Sequence, residues 1–141
     1  MVTLNAAARR LLESDAVAHL VTLNADGGPQ LSVVWVGLDG GEIVSGHMEY
    51  RQKLRNVARD ARVVLSVESP TSNPMGLREH LVVYGRARVE EGGARELLHR
   101  LAQVYLGPGA EFPPPQYTAP GYVLRITPER IGGIGPWATD T

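Results

Sequence analysis

The chain has 141 residues, 43% hydrophobic and 21% charged, with a formal net charge of −1. That size suits one domain spanning 1–141 with its own hydrophobic core, and the near-neutral balance argues against a nucleic-acid binder, which needs a strong basic excess. Cysteine is absent, which removes disulfides, thiolate metal sites and thiol catalysis and fits a reducing cytoplasm; the apolar runs are strand-sized, so no membrane insertion or signal peptide is expected.

Residues 3–14 carry Leu4, Ala7, Ala8, Leu11 and Leu12 at helical spacing, with Thr3 as the expected cap. Strands are expected at 16–23 and 29–38, joined by the turn NADGG with its Asp-Gly hairpin signal. In the second of these, Leu31, Val33 and Trp35 alternate with Gln30, Ser32 and Val34, and alternation alone makes Gln30 and Ser32 an outward polar row. A second turn, DGG at 39–41, leads to a strand at 42–46.

The period then changes. Over 50–60, Leu54, Val57, Ala58 and Ala61 form an apolar helical stripe. A strand at 62–69, a loop at 70–79 rich in Pro, Ser and Asn, and a long strand at 80–90 follow. Gly85 inside that strand marks a bulge or a close approach. Residues 92–107 read as a helix with Leu97, Leu98, Leu101, Val104 and Tyr105 on its stripe, 108–121 as a proline-rich loop, and 122–134 as a last strand or strand pair. Hairpin signals and dominant strands point to an antiparallel barrel with peripheral helices.

The 50–60 helix opens on Arg51 and Lys53, and Lys53 is the single lysine against thirteen arginines. Cations there oppose the helix macrodipole, which Glu49 offsets only in part. The placement makes sense if an anion such as a phosphate binds at this end. The spacing of Arg51, Arg55 and Arg59 equally describes a solvated helix face.

The segments DGGPQLSVVW, SGHMEYRQKLRNVARDARVVLSVE, YGRARV and RITPERIGGIGPW, in that order, resemble the flavin/deazaflavin oxidoreductase superfamily related to pyridoxamine 5′-phosphate oxidase, and within it the actinobacterial branch using the deazaflavin coenzyme F420. The resemblance implies a mainly β fold, a split β-barrel of antiparallel Greek-key type, and a homodimer with cofactor sites at the subunit interface. It implies phosphate binding by Arg51, Lys53 and Asn56. It also implies ring walls formed by Gln30, Ser32 and Val33 on one strand and by Ser45, Gly46 and His47 on another, and a C-terminal tail near the cofactor that brings in Trp137. Gly46 suits a close approach to a flat ring. Read from position alone, His47 is a surface histidine at a strand end, and Arg86 and Arg88 with Tyr84 are a solvent-facing ladder.

The four histidines lack metal-ligand spacing, and no nucleophile elbow, P-loop or dinucleotide fingerprint appears. No metal is expected, and no catalytic side chain can be singled out. These absences fit cofactor chemistry, and the resemblance implies an F420H2-dependent reductase acting on a small conjugated organic substrate. FMN is the alternative cofactor, and a non-catalytic flavin, F420 or haem carrier is the alternative role. Arg55 and Arg59 are expected to attract the acidic F420 tail, and the loops at 70–79 and 108–121 to shape the substrate pocket. The Arg-x-His stretch of the vitamin B6 oxidases is absent; RIGGIGPW stands in its place.

Overall fold

A computed structural model describes residues 1–138. Its elements are α1 (Ala6–Leu12), β1 (Ala18–Leu23), β2 (Pro29–Val34), β3 (Gly37–Asp39), β4 (Glu42–His47), α2 (Gln52–Arg59), β5 (Arg62–Ser72), β6 (Arg78–Glu91), α3 (Ala94–Tyr105) and β7 (Tyr122–Ile134). The seven strands form one sheet in the order β2-β1-β5-β6-β7-β4-β3, with every neighbouring pair antiparallel. β2 and β3 are its opposite edges, yet only Trp35 and Val36 separate them in the chain. Three Cα steps reach at most about 11 Å. The sheet must therefore curl until its edges meet at that end. The result is a barrel closed by the chain but split in its hydrogen bonding, as expected.

The expected single strand at 29–38 is thus two strands. At the break, the Tyr105 hydroxyl accepts from the Val36 N–H at 3.1 Å and lies 3.1 Å from the Ala16 carbonyl, so α3 supplies a partner that no strand offers. Two further expectations change. Asn5 rather than Thr3 caps α1, its side chain accepting from the Ala8 N–H at 2.9 Å. Half of the expected loop at 70–79 is strand: β5 and β6 extend into a hairpin whose turn is Asn73 to Leu77, where the Asn73 side chain accepts from the Met75 and Leu77 N–H groups.

The core lies inside the curled sheet. Leu20, Leu65, Leu81, Val83 and Leu124 are fully buried from alternate strand positions, and Leu12 and Leu54 close the barrel from α1 and α2. Gly85 sits where β6 and β7 lose register, and a Cβ there would collide with the Thr127 carbonyl. The sequence signal at that glycine is a close backbone approach.

Candidate functional site

β4 ends at His47, and four residues later Arg51 is the N-cap of α2. No side chain caps this helix, and its first turn carries no acid, so its N–H groups and dipole are left to whatever approaches. The Arg51 guanidinium is exposed and pairs with Glu49 at 2.6 Å. Lys53 is half-buried and makes no ion pair among the described residues. Burial first, and the Arg51 cation second, hold its ammonium below the ordinary lysine pKa. A half-desolvated cation at an uncapped helix start has no electrostatic reason among the described residues.

Both cations border a cleft of about 580 Å³, a size usual for small-ligand sites. One wall is Val33, Val34 and Trp35 at the end of β2; another is Gly46 and His47 on β4 with Leu98 from α3. Phe112, Pro113, Pro114 and Tyr117 from the proline-rich loop form the rim. Trp35 stacks on Tyr105 with ring centroids 5.1 Å apart and planes 6° off parallel, and Phe112 tilts against it at 5.3 Å. The loop at 108–121 therefore shapes the cleft as expected, whereas the 70–79 hairpin does not reach it.

Gly46 serves a different neighbour from the one its position suggested. A Cβ there would stand 2.8 Å from Leu98 Cγ, so the missing side chain lets α3 seat against β4. Ser45 is buried, and its hydroxyl shares a 2.7 Å hydrogen bond with His47 Nε2. His47 is accordingly not a surface histidine. Burial, then the charge of Lys53, push its pKa down to about 4, so the ring is neutral at pH 7.

This shift has a testable sign. The unfolded chain takes up the His47 proton at its ordinary pKa of 6.5 while the folded chain refuses it until about 4. The associated stability is complete above 6.5 and is lost as the pH falls between those values. A melting temperature that declines over that window, and declines less in His47→Gln, is the expected result of a pH series by differential scanning fluorimetry.

The remaining candidates are placed elsewhere. In β2 the alternation is inverted: Leu31 and Val33 are 61% and 57% exposed, while Gln30 and Ser32 turn inward. The Ser32 hydroxyl is buried without a partner. Gln30 borders a shallow hollow with Asn24, Asp26 and Gln52, and its carbonyl accepts from Asn56. Asn56 is fully buried. Its amide N–H₂ lies 3.0, 2.9 and 3.1 Å from oxygens of Thr22, Asn24 and Gln30, and its oxygen accepts from Gln52 and Arg59. That amide is spent inside the chain. Trp137 packs into its own core, 6% exposed, with its N–H donating to the His80 carbonyl at 2.9 Å, and does not line the cleft. Arg86 pairs with Glu129 and Arg88 with Glu42 on the outer face, while Arg130 covers Tyr84.

The structure thus brings Val33, Gly46, His47, Arg51 and Lys53 together, with Ser45 behind them. Sequence reading missed Trp35 and Leu98, and it gave the rim only as the 108–121 loop without singling out Phe112 or Tyr117. Leu98 is indistinguishable from the rest of the α3 core stripe, and Trp35 was hidden in a strand that turned out to be broken. Among the described residues no cluster of His, Asp or Glu is arranged to hold a metal, and no helix is long and apolar enough to cross a membrane.

A split antiparallel barrel with an uncapped, cation-bearing helix beside an apolar cleft agrees with the resemblance to the flavin/deazaflavin oxidoreductase superfamily, and the comparisons with known proteins place the chain there. The chain belongs to the pyridoxamine 5′-phosphate oxidase family, whose model matches residues 4–135. It is 30% identical to a structurally characterised F420 reductase, with a TM-score of 0.72 over 88% of this chain and 94% of the reductase. The conserved hypothetical protein Rv2991 from Mycobacterium tuberculosis is 25% identical, with a TM-score of 0.73 over 94% of this chain and 85% of its own. An FAD-binding protein from Mesorhizobium loti shares the fold at 20% identity and a TM-score of 0.65, over 94% of this chain and 95% of its own. Among curated proteins, none matches this chain.

Proposed function

We propose that the protein is an F420H2-dependent reductase that holds the deazaflavin in this cleft beside a small conjugated acceptor. The observation that carries the reading is the combination, in one cleft, of the half-buried Lys53, without an ion pair among the described residues, at an uncapped helix start with flat apolar walls. When bound, the deazaflavin supplies the hydride. Lys53, Arg51 and the first N–H groups of α2 would hold its phosphate. Val33, Trp35 and the β4 backbone at Gly46 would flank the ring and exclude water. His47, neutral and fixed by Ser45, adds no charge to compete with Lys53. Asn56 and Gln30 support the site by fastening α2 to the sheet. The F420 assignment leans on the 30% identical relative.

One observation favours FMN as a second reading. The guanidinium of Arg55 is engaged by the Tyr50 carbonyl and the Gln52 side chain, and that of Arg59 by the Leu23 carbonyl and Asn56. Neither is held ready for an acidic tail. A fluorescence titration with F420, run in parallel with FMN, decides. Tight F420 and weak FMN binding is expected. The reverse establishes the flavin reading, and binding of neither removes both. Oxidation of F420H2 by any acceptor then separates an enzyme from a carrier.

The reading includes a homodimer. Edge strand β2 presents exposed Leu31 and Val33, with Val17 exposed on the neighbouring chain segment. An uncovered apolar edge is a liability that a second copy removes. Light scattering should give a dimer for the native chain and a monomer for Leu31→Glu with Val33→Glu; a dimer in both would rule out this face.

A further inference from the structure

Lys53 is the one lysine in 141 residues, so the chain has two primary amines, that side chain and the α-amine. Several features bear on the Lys53 ammonium at once. It is half-buried in the cleft, and burial and the Arg51 cation both disfavour its charged form. It also sits in the first turn of α2, where the helix dipole opposes a positive charge. No carboxylate among the described residues pairs with it, and Glu49, the one acid of the cleft, is engaged by Arg51. Desolvation and a neighbouring cation turn a lysine into a nucleophile, because both raise the fraction present as free amine. His47 does not compete for this role: its ring is neutral at pH 7 and its Nε2 is held by Ser45. The cleft therefore sets an activated amine beside two anion-holding features, the Arg51 guanidinium and the free N–H groups of the uncapped helix.

We infer that Lys53 is a covalent modification site, acylated in this cleft by small acyl phosphates, and that acylation closes the anion site. The reagent class follows from the juxtaposition. An electrophile that carries its own phosphate is drawn to Arg51 and the α2 N–H groups, which raises the concentration of its acyl carbon beside the amine. The Lys53 nitrogen bonds to the acyl carbon, the bond from that carbon to the phosphate oxygen breaks, and the amine proton leaves on the phosphate. An amide and hydrogen phosphate result, with no further reactant. The groups that held the phosphate stabilise it as it departs. The amide is uncharged, so the cleft loses its half-buried cation. The inference rests on the anion site of the proposed function, but not on which anion that site serves.

The test incubates the native protein with acetyl phosphate at neutral pH and follows acetyl uptake at both amines by peptide mass spectrometry. Met1 is 81% exposed, so access alone favours the α-amine, which is the reference within each molecule. Lys53 is expected to acetylate about tenfold faster than the α-amine, at a rate that saturates in acetyl phosphate and is suppressed by inorganic phosphate. The uncharged donor p-nitrophenyl acetate should show no such preference. Arg51→Ala should raise the half-saturating concentration several-fold, and Lys53→Arg should be labelled at the α-amine alone. Protein acetylated at Lys53 should bind F420 or FMN roughly 10- to 100-fold more weakly. Labelling of Lys53 no faster than the α-amine, or linear in acetyl phosphate and unprotected by phosphate, overturns the inference; cofactor binding by the same protein then leaves the proposed function standing. Saturable labelling of Lys53 in a protein that takes up neither cofactor does the opposite.

Discussion

Replacing Lys53 by alanine should weaken cofactor binding roughly 10- to 100-fold, the worth of one charge-assisted hydrogen bond of about 1.5–3 kcal/mol. The melting temperature should stay where it was or rise slightly. Both halves of this expectation come from the same geometry. Lys53 has no ion-pair partner among the described residues, so folding loses no ion pair seen there when it goes, and removing a cation from the first turn relieves an unfavourable dipole interaction. Its burial gives the charge more reach than a solvated lysine has. Arg51 is exposed and already paired with Glu49, so Arg51→Ala should cost only a few-fold. Lys53→Arg should not restore full affinity, because a planar fork does not occupy the place of a compact ammonium. Titration of each variant beside its thermal melt checks all three. A solvated helix face would leave affinity unchanged in every one of them, and that outcome would sink the anion site.

The barrel was legible because its strands bury one face and its helices one stripe, and both periods survive in the residues. The helix start was legible because cations in the wrong place on a dipole need an explanation. What the residues concealed has physical causes. Reading β2 by alternation assumed that apolar means inward. β2 is an edge strand whose Leu31 and Val33 face out; of the polar residues opposite them Gln30 is met by the buried Asn56, while the Ser32 hydroxyl is buried without a partner. The break at Trp35–Val36 leaves no mark in the sequence, since the partner for Val36 is a tyrosine hydroxyl sixty-nine residues away. The 70–79 stretch looked like a loop because Pro, Ser and Asn suit turns. Its Pro70 falls in the part of β5 where pairing with β6 lapses between Glu68 and Ser72, so the missing N–H costs no ladder bond. The assignment of Asn56 as a phosphate ligand came from likeness alone, and the geometry gives that side chain other work.

Asn56→Leu should lower stability by about 3 kcal/mol, because it leaves several buried polar groups short of a partner at 1–3 kcal/mol each. For a chain of this length that is a fall in melting temperature of roughly 10 °C. Leucine matches the volume but offers nothing to Thr22, Asn24 or Gln30, and it takes away the oxygen that Gln52 and Arg59 donate to. These bonds join α2 to β1 and to the β1–β2 hairpin, so the same change loosens the helix whose start carries Lys53. Below its lowered melting point the variant should still bind cofactor within a few-fold of the native protein, since the amide does not face the cleft. Asn56→Asp keeps an acceptor for Gln52 and Arg59 but sets a carboxylate against the oxygens of Asn24 and Gln30, and should melt nearly as low. The two substitutions on α2 are therefore expected to separate cleanly: Lys53→Ala changes affinity and not stability, Asn56→Leu stability and not affinity. A leucine variant that melted like the native chain yet no longer bound cofactor would return Asn56 to the ligand set that the sequence resemblance gave it, and would mean that the five hydrogen bonds around it are rearranged when the anion arrives.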